Sequence, residues 1–114
     1  MPGLDDIPVA ERRALAELKA ELTRTLGERV RGLLLFGSLA RGRYSEESDV
    51  DVLVLIDHRD ETAARRVIDA AVAVMLRHPH VVISPLLLTP EELAALRARE
   101  RRLALDIDRE GIPL

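Results

Sequence analysis

The chain predicts an α+β fold: a small mixed β-sheet with helices packed on it. Three observations carry this. Residues 30–36, 49–56 and 81–88 are short apolar runs of strand length, rich in Leu, Val and Ile. Longer segments with apolar residues at helical spacing flank and separate them. The first two runs lie close enough in sequence to pair antiparallel, whereas a helical segment separates the second from the third.

The elements follow in order. Residues 8–26 read as a helix, with Leu15, Leu18, Leu22 and Leu26 in one stripe, Asp5 and Asp6 near its start, and Gly27 as its stop. The run Leu33-Leu34-Leu35-Phe36 in the first strand is continuously apolar, which predicts burial on both faces. A short helical turn over residues 39–41 and a polar loop over 42–47 lead to the second strand. Residues 60–77 form a second helix, with Ala64, Val67, Ile68, Ala71, Val74 and Met75 facing inward and His78-Pro79 ending it. The third strand carries Pro85, which points to a sheet edge or bulge. Thr89-Pro90-Glu91-Glu92 is a helix start, with Thr at the N-cap, Pro at N1 and Glu at N3. That helix carries Leu93, Leu96, Leu103 and Ile107, and residues 112–114 add a short edge strand. The expectation is one domain over residues 1–114, long enough for a real core.

Composition narrows the function. Apolar residues make up 47% of the chain, so it is not disordered by composition. A net charge of −3, with one Tyr and one Phe, argues against a nucleic-acid partner. Of 17 basic residues only Lys19 is Lys, which we assign to genome composition. The absence of Cys excludes disulfides and thiolate metal sites, and three scattered His do not form a zinc site. No apolar run reaches the length of a membrane span and the N-terminus carries no signal peptide, so the expected setting is cytoplasmic, without a membrane.

The chemistry concentrates in residues 33–56. The first strand ends in Gly37-Ser38, Arg41-Gly42-Arg43 follow, and Ser48-Asp49-Val50-Asp51 opens the second strand. Asp49 and Asp51, at i and i+2 on a strand, share a face. Such a pair is either two solvated carboxylates at a strand entrance or ligands for a hard cation, since Mg²⁺ is held by one or two carboxylates plus substrate phosphates. Gly37 lets backbone approach a ligand, and turn N–H groups with the Ser38 hydroxyl suit a phosphate. Arg41 and Arg43 are solvated loop charges or phosphate contacts, and Ser48 is a loop-closing hydroxyl.

The pattern Gly37-Ser38-Leu39-Ala40-Arg41-Gly42, then Ser48-Asp49-Val50-Asp51-Val52-Leu53-Val54, resembles the DNA polymerase β-like nucleotidyltransferase superfamily, and most of all its minimal single-domain branch, whose members are often paired with HEPN-type proteins. The resemblance implies the polymerase β-like fold. It implies binding of Mg²⁺ with ATP or another NTP, and transfer of the nucleoside monophosphate to an acceptor hydroxyl with release of pyrophosphate. It makes Asp49 and Asp51 the catalytic, metal-binding residues and Gly37, Ser38 and Arg41 the phosphate contacts. The implied acceptor is a partner protein such as a HEPN toxin, which would make this chain the antitoxin half; a homo-oligomer is the other assembly to consider. The resemblance further implies a third acid on the strand after the second helix, yet residues 81–88 contain no Asp or Glu. Ser84 stands near that position. Asp57, on the same strand face as Asp49 and Asp51 but six residues beyond Asp51 and so too far along at ~3.3 Å per residue, and His80, on the Ser84 face if alternation holds, are the substitutes available in sequence; a partner protein that brings the acceptor is another source of the base. The competing class is a binding module that keeps the fold but has lost transfer. Leu53 and Leu55, on the carboxylate side, are either ordinary core or a partner surface.

Overall fold

The computed structural model of the protein describes residues 7–37, 49–99 and 101–114. Helix α1 spans Val9–Leu26 and buries Ala14, Leu15, Leu18, Leu22 and Leu26. It stops at Gly27, whose φ of 54° lies in the left-handed region, with the Gly27 N–H donating to the Thr23 carbonyl. A 3₁₀ turn over Gly27–Arg29 leads into β1, Val30–Phe36. Strand β2 is Val50–Ile56, α2 is Glu61–Arg77 and β3 is Ile83–Leu88. Helices α3 (Pro90–Arg99) and α4 (Arg101–Glu110) follow, and β4, Ile112–Pro113, closes the sheet.

The sheet order is β3-β2-β1-β4. Strand β1 runs antiparallel to β2 and to β4, while β2 and β3 are parallel, the crossover being α2. Both faces of the sheet are covered. On one, Leu35, Val52, Val54 and Ile56 pack with Leu18 and Leu22 of α1 and Val67 and Val74 of α2. On the other, Phe36 and Leu53 pack with Leu93 of α3 and Ile107 of α4. The continuous apolar character of β1 and β2 is the sequence signature of this burial on both faces.

Three local features place the C-terminal layer. The Glu92 N–H donates to Thr89 Oγ1 at 3.1 Å and the Thr89 N–H donates to Glu92 Oε1 at 3.3 Å, a reciprocal capping box as the sequence predicts. Arg59 donates to both Glu92 oxygens, at 3.2 and 2.8 Å, and to the Leu87 carbonyl at 2.6 Å, so the loop after β2 is tied to the start of α3. Arg97 donates to both oxygens of Asp108, at 3.0 and 2.8 Å. Eleven residues of straight helix would separate that pair by about 16 Å. The chain therefore bends between α3 and α4, where the sequence predicts one uninterrupted helix.

Two further expectations are corrected. The third strand begins at Ile83 rather than at residue 81, because the Val81 N–H closes a turn onto the His78 carbonyl at 2.9 Å. Helix α2 buries Ala63, Val67, Ala70, Ala71 and Val74, whereas Ile68 is 57% exposed. The inward arc is rotated from the predicted one, and Ile68 falls outside it. Pro85 does lie on an edge strand, where its missing N–H costs no ladder bond on the open side. The predicted turn at 39–41, the loop at 42–47, and Asp5 and Asp6 lie outside the described residues.

The ion pairs carry a pH prediction. Glu92 is held below its ordinary 4.5 by the Arg59 guanidinium, against the opposing pull of partial burial, with help from the Thr89 N–H. Asp60 is held below 3.8 by the Ala63 N–H it caps, and Asp108 by Arg97. A carboxylate with a folded pKa below its unfolded one adds stability that is fully present above the unfolded value and is lost as pH falls through the folded one. Thermal stability should therefore be flat above about pH 5 and fall below about pH 4. Melting followed by circular dichroism at several pH values checks this, and Glu92→Gln should lessen the acid slope. An equal slope in that variant would show that Glu92 contributes nothing to it.

Candidate active site

Of the predicted residues, Gly37, Asp49, Asp51 and Ser84 lie at one end of the sheet. In the ladders, Asp51 pairs with Phe36 of β1 and with Ser84 of β3. Paired residues point to the same face of a sheet, so Asp51 and Ser84 share the face that carries Leu53 further along β2. Asp49 stands just before β2 and is exposed, and the Ser84 hydroxyl donates to Asp49 Oδ2 over a long 3.4 Å. Strand β1 ends beside them. Gly37 follows Phe36 with φ of 78°, a conformation that side chains rarely adopt. A Cβ placed on Gly37 would collide with Asp51 Oδ2 and sit 3.2 Å from the Asp51 carboxyl carbon. The glycine therefore meets two requirements at once: the left-handed turn and the space for the Asp51 carboxylate.

Gly37, Asp49, Asp51 and Ser84 thus form one group, while Ser38, Arg41, Arg43 and Ser48 lie outside the described residues. The apolar layer begins directly behind the carboxylates. Leu53, next on the same face, is fully buried with Phe36, Leu93 and Ile107, and Leu55 packs partly buried against that cluster. Both leucines are therefore core beneath α3 and α4. The resulting arrangement is an open polar end on a dry floor.

The two substitutes considered for a third acid are elsewhere. Asp57, one residue past the far end of β2, accepts from Arg29 Nε at 3.0 Å and from the His58 N–H at 2.7 Å. Partial burial raises its pKa, but Arg29 and the His58 N–H outweigh this and keep the carboxyl below its ordinary range. Asp57 is thus part of a structural cluster with Asp60, which also accepts from Arg29 at 3.0 Å. His80 sits in an exposed turn before β3, and His78 pairs with Glu17 of α1, which also accepts from Arg77 at 2.8 Å. Among the described residues, no group of three or more His, Asp or Glu comes together as a metal site. Asp49 and Asp51 put two carboxylates at this end of the sheet, a donor type that suits a divalent cation with a phosphate ligand, and Ser84 adds a neutral hydroxyl beside them.

The residue that sequence reasoning missed is Phe36, the cross-strand neighbour of Asp51 and part of the floor. Its apolar character was visible, but its register to Asp51 depends on how the chain crosses between β1 and β2. A groove of about 510 Å³, lined by Lys19, Thr23, Arg31 and Leu114 among others, opens at the opposite end of β1 and contains none of the four grouped residues.

Comparison with known proteins identifies the family. The family described as "Nucleotidyltransferase domain" matches residues 15–105, a span that contains Gly37, Asp49, Asp51 and Ser84. Two proteins of Methanocaldococcus jannaschii, both provisionally named as protein adenylyltransferases, are similar to this chain. MJ0141 is 35% identical over 74 residues, covering 64% of this chain and 74% of that protein. MJ0604 is 43% identical over 47 residues, covering 41% of this chain and 47% of that protein. The chain belongs to the nucleotidyltransferase domain family, with the polymerase β-like α+β fold that its motif implies.

Proposed function

We propose that this chain is a single minimal nucleotidyltransferase domain that moves AMP from Mg²⁺–ATP to a hydroxyl on a partner protein in the cytoplasm, with release of pyrophosphate. The observation that carries this reading is the seating of Asp51 against the left-handed Gly37, with Asp49 beside it. Two carboxylates and a turn that admits close backbone approach are what a metal-bound triphosphate needs. In this reading Asp49 and Asp51 hold Mg²⁺, and Gly37, Ser38 and Arg41 meet the phosphates. When bound, the cation neutralises charge where pyrophosphate leaves. The names of the two archaeal relatives support AMP as the transferred group and a protein as the acceptor. A small helical HEPN-type toxin is the partner we propose, with this chain as its antitoxin.

One observation favours a second reading. The strand position in register with Asp51 is Ser84, not an acid. Loss of a general base typically slows a reaction by about 10²–10⁴-fold. A protein of this kind could neutralise its partner by binding, with nucleotide held but transferred slowly. Ser84→Asp separates the two readings. The new carboxylate would face Asp51 and lie beside Asp49, so incorporation of label from ATP into the partner should rise by at least about tenfold at saturating Mg²⁺, part of the loss attributed to a missing base. Fast transfer by the wild type that Ser84→Asp leaves unchanged or impairs would show that another group already serves as base.

A further inference from the structure

We infer that Ser84 is itself an acceptor: the chain transfers a nucleoside monophosphate from a nucleoside triphosphate onto its own Ser84 hydroxyl. This inference rests on the nucleotidyl-transfer reading and adds the acceptor in cis.

Three observations carry it. The Ser84 side chain lies on the same face as Asp51, as its register partner in the adjacent parallel strand. Its hydroxyl donates to Asp49 Oδ2 at 3.4 Å, which turns Oγ toward the carboxylates. Ser84 is partly exposed, and it lies at the polar end of the sheet rather than within the Leu53–Leu93 floor. A hydroxyl retained among metal-site carboxylates occupies the place an acceptor must reach, and being covalently held there it needs no binding step.

The step balances as follows. Ser84 Oγ attacks the α-phosphorus of the triphosphate and an Oγ–P bond forms. The bond from that phosphorus to the bridging oxygen breaks, and pyrophosphate departs. The Ser84 proton is released to solvent at the open end of the sheet. The product is a phosphodiester between Ser84 and the nucleoside, with no change in oxidation state. Because the modified serine stays in place, each chain accepts one group.

The test uses the full chain with Mg²⁺ and ATP, followed by intact-mass and tryptic mass spectrometry, with calorimetry of Mg²⁺–ATP binding on the same samples. The expected result is one adenylate per chain, located on the tryptic peptide of residues 78–97 and removed by Ser84→Ala at Mg²⁺–ATP concentrations that calorimetry shows to saturate that variant. Ser84→Thr, which retains a hydroxyl and suits a strand, should restore the adduct. In the unliganded protein Asp49→Asn should shift the Ser84 amide resonance, a readout of the Ser84–Asp49 contact that needs neither metal nor turnover. A wild-type chain that binds Mg²⁺–ATP yet forms no adduct overturns the inference and leaves the transfer reading standing. An adduct on another residue, or one that persists in Ser84→Ala, overturns it as well. Failure to bind Mg²⁺–ATP overturns the transfer reading and the inference together.

Discussion

Replacing Asp49 and Asp51 together by Asn is expected to abolish metal-dependent nucleotide binding while leaving the fold intact. Both substitutions keep side-chain size and remove charge. Asp49 is exposed, and Asp51 stands at the open end of the sheet, beyond the buried Leu53. The apolar packing of β2 rests on Val50, Val52, Leu53, Val54 and Ile56, none of which is touched. Contacts to charged groups contribute about 1.5–3 kcal/mol each. Losing two predicts a fall in Mg²⁺–ATP affinity of at least about 100-fold, at 1.4 kcal/mol per factor of ten. Calorimetric titration of wild type and double variant, with thermal melts as the folding control, measures this. Equal affinity in the two proteins would remove the carboxylates from the metal site.

Gly37→Val is the second change with a large expected effect, and its cause is geometric. The φ of 78° is strained for a residue with a Cβ and most so for a β-branched one, at about 1–2 kcal/mol. The new Cβ would also fall on the Asp51 carboxylate, 3.2 Å from its central carbon. Either the turn leaves the left-handed region or Asp51 swings away, and both move the carboxylate from its place. Nucleotide affinity should drop by at least about tenfold, the equivalent of one charge-assisted contact. The melting temperature should fall by about 3–10 °C, in proportion to the strain. Gly37→Ala carries the same φ and the same collision with a smaller side chain, so it should show the same order of effects in milder form. A folded Gly37→Val protein with wild-type affinity would mean that the phosphates are held elsewhere.

Much of this architecture was legible in the linear chain because it depends on local rules. The leucine stripe of α1, the capping box at Thr89–Glu92, the helix end at His78 and the edge position of Pro85 each follow from a few neighbouring residues. The same holds for the shared face of Asp49 and Asp51, which is a consequence of strand alternation. Errors arose where the answer depended on distant partners. Ile68 lies at the margin of one broad apolar arc on its helix, and only the packing against the sheet decides which side of that arc is covered. The break between α3 and α4 is stabilised by Arg97 reaching Asp108, a pairing that a straight helix forbids.

The sequence by itself determined the fold class, the family motif and the residue types of the candidate site. Glycine, paired aspartates and a serine where an acid was expected are facts of composition and order, and no folding was needed to see them. Tertiary structure alone decided how they meet. The antiparallel register of β1 with β2 brings Gly37 against Asp51, and the parallel register of β2 with β3 brings Ser84 to Asp49. It also decided that Leu53 and Leu55 are floor rather than partner surface, because the two C-terminal helices cover that face. The physical reason is that strand register is set by the summed burial of whole faces and by the length and path of the connections. No short stretch of residues carries that information.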